Sequence, residues 1–368
     1  MMQSLAALRW PDKVTNEDFE MSHDLDFTTG RAAIAYRGQT PWHGFGTTIL
    51  EGDDAETIRT KAGLAYDVIT APMQYRVDQQ FLGSVPMVPA NRLGTFNVPS
   101  RKALLRNDTY DMLSVVSDEY RVVQPAVLFD FFTKLLAKDG IKIETAGALR
   151  NGARIWALGK IDAGFTLYGR DTVHPYVLAA TSYDGTMSTQ AMLTGVRAVC
   201  NNTITAAGAY KSEGDANSYK VPHNRDFDIT EAHGKLGLDL DAWTTYCANI
   251  AKLAAMSVSP EQALEYFYTV AGLGDQIMRN EESGVIISFP EPTRVVKQFL
   301  NAYKNGPGSD LVSADGTAYG LLNAVTFYQD HLAPSSSNGT RFDSATFGGG
   351  NVRKQHAFQL AMNMMEAA

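Results

Sequence analysis

Apolar residues recur along this chain with two different periods, and the change of period divides it. Residues 64–70, 73–77 and 113–116 are short, β-branched-rich pieces broken by Pro72, Pro86, Pro89 and Pro99, a pattern that predicts strands. Pro125 then opens a different run. Leu128, Phe131, Phe132, Leu135 and Leu136 fall at i, i+3, i+4, i+7 and i+8, one face of a helix that Gly140 should end. Two turn dipeptides follow. Asn151-Gly152 separates 141–150 from 153–161, and Asp184-Gly185 separates 176–183 from 186–199. These residue types tolerate the left-handed backbone that tight hairpins demand, so an antiparallel sheet of at least four strands is expected, backed by the 125–139 helix.

Beyond about residue 228 the period becomes helical. Trp243, Tyr246, Cys247, Ile250 and Ala254 make one stripe. Ser259, Pro260 and Gln262 form a capping box that leads into Leu264, Phe267, Tyr268 and Ala271. Val295, Val296, Phe299, Leu300 and Tyr303 mark a further helix with Gly306 behind it, Leu321, Val325, Tyr328 and Leu332 another, and 352–366 a last one. A short helix should start at Asp53 and Asp54 and stop at Gly63. The fold class is therefore α+β, an antiparallel sheet with hairpins backed by a helix and followed by a mostly helical C-terminal half. We divide the chain into an acidic arm (1–22), a sheet-rich domain (23–227) and a helical region (228–368).

Composition narrows the function more than the fold. The 368 residues are 45% hydrophobic and 20% charged, enough apolar content for a proper core. The net charge is −8, which disfavours a protein coated with nucleic acid by charge alone. The charge is uneven, however: only 101–200 is net positive (+2), and 92–160 reaches +4. Two cysteines, Cys200 and Cys247, cannot build a disulfide framework or a zinc site and suit a reducing compartment. There is no run long and apolar enough to span a membrane, and the first residues do not read as a secretory signal, so a cytoplasmic protein is expected.

The sharpest candidate chemistry lies on the Asn151-Gly152 hairpin. A two-residue turn pairs Leu149 with Arg154, Gly147 with Trp156, Thr145 with Leu158 and Ile143 with Lys160. One face then alternates Arg154, Trp156 and Lys160. Cations interleaved with an exposed ring suit phosphates and a stacked base; alternatively, Trp156 packs over Gly147 against Leu149 and Leu158. Arg101, Lys102, Arg106, Arg150 and Arg197 are the further phosphate-binding candidates, set against the reading of a salt-bridged surface. Asp184, Arg197, Asn201 and His223 form a second polar set that catalysis would need to converge. Tyr319, Asn323, Thr326 and Asp330 line one helix face as a solvent surface, a subunit contact or a site edge. Gly348, Gly349 and Gly350 precede Arg353 and Lys354, as an anion cradle or a flexible loop. The seven histidines have no metal-ligand spacing, and neither phosphate-loop nor nucleophile-elbow sequences occur, so no metal and no cofactor are expected.

Several stretches resemble a phage/plasmid-like protein family known as domain of unknown function 932. They are LDFTTGRAAIAYRGQTPWHGFG (25–46), SVVSDEYRVVQP (114–125), ETAGALRNGARIWALGKI (144–161), SYDGTMS (182–188), VRAVCNNT (196–203) and GTAYGLLNAVTFYQDH (316–331). The resemblance implies a phage, prophage or plasmid origin within a bacterial host and supplies no catalytic residues. Together with the basic hairpins it leads to the expectation of a non-catalytic, homo-oligomeric protein that binds or anneals single-stranded DNA in recombination or DNA metabolism. Two alternatives stand beside it: an enzyme processing nucleotides or nucleic acid, and an interaction module directed at host defence or replication.

Overall fold

The structure, a computed structural model, describes residues 26–38, 46–78, 92–139, 141–162, 164–197, 202–205, 218–236, 240–336 and 338–366. The expected acidic arm, Gly140, Cys200 and Asn201 lie outside the described residues.

The architecture is α+β. Among the described residues its main sheet has nine strands: β1 (Ile34–Tyr36), β2 (Thr47–Thr48), β6 (Lys142–Leu149), β7 (Arg154–Lys160), β8 (Phe165–Leu167), β9 (Asp171–Ser182), β10 (Thr189–Arg197), β11 (Asn202–Thr205) and β12 (Ser218–Val221). The order is β11-β10-β9-β7-β6-β1-β2, with β12 also on β10 and β8 on β9. A separate three-stranded sheet runs β3 (Val68–Val77), β4 (Gly94–Arg106) and β5 (Met112–Ser117), and a two-stranded ribbon joins β13 (Met278–Arg279) to β14 (Ile286–Ser288). Nine helices occur among the described residues: α1 (Ala55–Lys61), α2 (Pro125–Asp139), α3 (Ile229–Lys235), α4 (Leu240–Ala255), α5 (Pro260–Val270), α6 (Arg294–Asn305), α7 (Ala318–Phe327), α8 (Asn338–Phe347) and α9 (Gly349–Glu366).

Most local expectations hold for local reasons. The expected helix at 125–139 is α2, and it packs on β6 and β7. The Ser259 hydroxyl accepts from the Gln262 N–H at 3.1 Å while the Gln262 side chain accepts from the Ser259 N–H at 2.8 Å, so the capping box forms. Asp54 caps α1 through the Thr57 N–H. In the first hairpin Leu149 pairs with Arg154, Gly147 with Trp156 and Thr145 with Leu158, as the turn requires. A bulge between Ile143 and Thr145 then shifts the register, so Ile143 faces Gly159 and Lys160 faces Lys142 instead. The second hairpin is wider than a two-residue turn: its strands stop at Ser182 and resume at Thr189. Asp184 accepts both the N–H and the hydroxyl of Thr186, and Ser182 bonds Met187, which closes the loop by side chains. The pieces at 64–70 and 73–77 prove to be parts of one strand preceded by an approach in which Leu64 and Tyr66 are buried; Pro72 is tolerated because β3 is an edge strand.

One face of the main sheet joins the larger core, a continuous buried cluster running from Ala33 to Met362 that includes α2 and the C-terminal helices. The opposite face carries Ile34, Leu149, Trp156, Leu178, Ala180 and Met192, covered by Phe342 and Phe347 of α8. Periodicity did not announce α8. The polar stripe of Tyr319, Asn323 and Thr326 is a buried one, which removes the solvent-face reading; Asp330, in the π-helical turn Tyr328–Leu332 that follows α7, pairs with the buried Lys354 of α9 at 2.7 Å. The run at Gly348 to Gly350 is neither a loop nor a cradle: it makes the junction where α8 turns into α9, and a Cβ at Gly350 would sit 3.0 Å from the Ala345 Cα.

Candidate nucleic-acid interface

The structure separates the eight residues expected to grip a strand. Arg106 is 0% exposed, with Asp26 on Nη1 at 2.5 Å, Asp108 on Nε and Nη2 at 2.9 and 2.8 Å, and its guanidinium over the Tyr66 ring at 3.9 Å. Arg154 is 5% exposed and bonds Asp343 and Thr186, and Arg150 spans Asp184 at 3.3 Å and Asp343 at 2.7 Å. Trp156 is 4% exposed; its indole lies against Phe342 at 4.9 Å and packs with Leu149 and Leu158. Its ring is therefore not an exposed stacking platform, because α8 covers the face on which it stands. Lys160 sits at the far end of β7, six residues from Arg154 and roughly 20 Å away along the strand. Arg197 pairs with Val173 at that same far end. The central hairpins thus make no single open cationic strip.

Arg101 and Lys102 belong elsewhere. Both lie on β4, in the small sheet, where Arg101 is exposed and Lys102 donates to the Asp118 carbonyl at 2.8 Å. The base of this sheet is anchored by the buried Val68, Leu104, Arg106 and Val116. Further out, every described residue of 73–78 and 92–101 is exposed or half-buried, so β3 and β4 project as an arm. A wide irregularity in β4 between Lys102 and Asn97, with Ser100 at φ +59°, re-aims the strand at the point where the arm leaves the body. On the arm Tyr75 pairs with Phe96 across the ladder; their rings stack at 5.6 Å and 29°, and Tyr75 is 50% exposed. Residues 68–106 carry five basic and one acidic side chain, net +4 in a chain of −8. Arg92 and Arg101 make no ion pair with any described residue, and Arg76 makes only an exposed one, to Asp78 at 3.0 Å.

The base of the arm borders a hollow of about 350 Å³, walled by Ser117, Tyr120, Met187, Ser188, His223 and Asn224. An adjoining depression brings Lys102 and Arg121 to its rim together with Asp118 and Glu119, and Arg121 is paired with Asp226. Tyr120 and His223 stack at 4.3 Å and 12°. The Tyr120 hydroxyl donates to the Ser182 carbonyl at 2.6 Å, and burial pushes its phenol well above the usual range. Both His223 ring nitrogens face carbonyl oxygens, Arg121 at 3.2 Å and Met187 at 3.1 Å. These two rings are therefore held as walls, with their polar atoms turned toward backbone carbonyls. The polar set proposed for catalysis does not converge either: Arg197 lies at the opposite end of β10 from Thr189, which pairs with Val221 just ahead of His223. Among the described residues no group of three His, Cys, Asp or Glu side chains is placed to hold a metal, and no helix is long and apolar enough to cross a membrane.

The family model for a domain of unknown function (DUF932) matches residues 112–365, more than two thirds of the chain. The chain belongs to this family. No curated protein and no solved structure matches it. In this DUF932 chain the hollow is built from stretches that fall inside the matched range, since SVVSDEYRVVQP supplies Ser117 and Tyr120 and SYDGTMS supplies Met187 and Ser188. The 25–46 stretch and the arm precede that range.

Sequence reasoning missed Tyr75, Arg76 and Phe96 of this DUF932 protein. A signal existed in the charge of 68–106, whose one acidic residue stands against five basic ones. Counting charge by hundreds split that segment between an acidic and a basic quarter.

Proposed function

We propose that this protein is a non-catalytic binder of single-stranded nucleic acid, serving recombination or DNA metabolism of a phage or plasmid, with the β3–β4 arm as its contact. The observation that carries the reading is the arm itself: a projection on which Arg76, Arg92 and Arg101 stand against Asp78 alone, net +2, bearing a half-exposed stacked ring pair. Exposed cations hold phosphates and release counterions, while rings accept bases without demanding a sequence. Beside the arm's base, a base meets the Tyr120–His223 wall of the hollow. A two-stranded projection is marginally stable alone, so packing of arms between copies accompanies strand binding in this reading.

Anisotropy of a labelled oligothymidylate tests it. Binding should weaken linearly in log–log terms with salt, and the triple variant Arg76→Ala, Arg92→Ala, Arg101→Ala should flatten that slope by about 2, at roughly 0.7 per lost contact. Tyr75→Ala should cost about 1–3 kcal/mol of affinity. A triple variant with wild-type affinity and slope would remove the arm from the interface.

A further inference from the structure

Beneath α8 lies an arrangement that strand binding on the arm does not use. Two guanidiniums converge on one carboxylate: Arg150 Nη2 donates to Asp343 Oδ2 at 2.7 Å and Arg154 Nη1 to Asp343 Oδ1. One helical position away, the Phe342 ring covers the Trp156 indole at 4.9 Å, and the Phe347 ring lies 5.4 Å from the Arg154 guanidinium. An anion and a ring, both delivered by a single short helix, thus fill a seat made by Arg150, Arg154, Trp156 and Thr186.

The fit is incomplete in an informative way. Among the described residues, Arg154 Nε and Trp156 Nε1 find no hydrogen-bond partner, although both are buried donors. A carboxylate has two oxygens, and Asp343 spends them on the two Nη groups. A phosphate brings three, and buried donors left unserved are costly. The covering helix is also the kind of element that can leave. It has ten residues, follows Ser335-Ser336-Ser337 in sequence, carries Gly339 in its first turn, and is separated from α9 by Gly348.

We propose that the seat under α8 is a nucleotide-binding site, distinct from the arm, whose ligand is a phosphate joined to an aromatic base. Asp343 stands where the phosphate binds and Phe342 where the base stacks on Trp156. A free nucleotide and the terminal nucleotide of a strand share this chemistry. Either must displace an intramolecular carboxylate whose effective concentration is on the order of millimolar, so the intact protein binds weakly and removal of the internal occupant strengthens binding.

The test uses the full chain, thymidine monophosphate and a 5′-phosphorylated oligothymidylate, with tryptophan fluorescence as readout. Asp343→Ala with Phe342→Ala should bind the mononucleotide at least about tenfold more tightly than wild type, with quenching that Trp156→Phe abolishes. Asp343→Asn keeps the shape of the side chain and should show the same direction of change, which covers the case of a double variant that does not fold. In the wild type, saturating nucleotide should speed amide exchange across 338–347. Tighter binding of the mononucleotide assigns the seat to free nucleotides; a gain confined to the 5′-phosphorylated strand assigns it to strand ends. These measurements are repeated with Arg76, Arg92 and Arg101 replaced by alanine, so that failure of the arm leaves them readable. Folded Asp343→Asn protein that gains affinity for neither probe, with exchange at 338–347 unmoved by nucleotide, overturns the proposal.

Discussion

Arg106 was expected to hold a phosphate, and its surroundings say that it holds the fold, which makes Asp26→Ala a decisive change. The Arg106 side chain is fully buried, and the Asp26 carboxylate is 1% exposed. Removing Asp26 leaves Nη1 without its partner and a buried cation facing only Asp108, whose side chain is a third exposed. Breaking a buried pair from one side costs about 3–5 kcal/mol, because the surviving charge is left uncompensated. The two bonds retained to Asp108 place Asp26→Ala near the low end, and loss of the cap that Asp26 gives the Thr28 N–H at 2.8 Å adds about 1 kcal/mol. The sum, about 4 kcal/mol, is a large share of the ~5–15 kcal/mol that holds most domains folded. Urea unfolding followed by circular dichroism reads it as a fall in midpoint. The companion variant Asp26→Leu with Arg106→Met removes both charges and should recover most of the loss, since a buried pair is often no better than apolar side chains of similar volume. Its affinity for oligonucleotide should equal that of wild type. The reasoning fails if Asp26→Ala costs under about 1 kcal/mol, against the range expected of a broken buried pair. It fails equally if the folded double variant loses strand binding, which would return Arg106 to the interface.

Three further expectations concern other parts of the molecule. Gly159→Ala should destabilise by about 1–3 kcal/mol in the same assay, because the new Cβ would lie 2.6 Å from Phe132 Cε1 and 2.7 Å from Ile141 Cγ2. The hydrogen bonds and charge of Arg106 hold the Asp108 carboxyl below the usual carboxylate range. Its contribution is therefore complete above the unfolded value near ~4 and disappears as pH falls through the lower folded value, so Asp108→Asn should flatten the acid limb of stability against pH. Burial pushes the Cys247 thiol up to about 11. In a Cys200→Ser background the native protein should react slowly with a disulfide reagent at neutral pH and rapidly once denatured or near the raised value; fast native labelling would refute the burial argument.

What the chain wrote into its own sequence is whatever short-range geometry decides. The Leu128–Leu135 stripe made α2, the Ser259 capping box started α5, and Asn151-Gly152 set three of the four cross-strand pairs assigned to it. Each depends on residues within a few positions of one another, so periodicity and turn chemistry suffice. The family was legible for the same reason, as ordered local stretches, and the match over 112–365 upholds it. The candidate site was legible only as composition. Arg154 and Trp156 look identical in sequence whether open to solvent or covered, and what covers them, Phe342 and Asp343, comes from some 190 residues away. The Arg106–Asp26 pair spans 80 positions, and the polar stripe of α7 found its place in the core rather than in water. Burial and charge pairing are sums over neighbours brought together by the whole fold, and no window of sequence contains those neighbours. The tertiary structure therefore decided which cations are committed to carboxylates and which, on the arm, still face solvent.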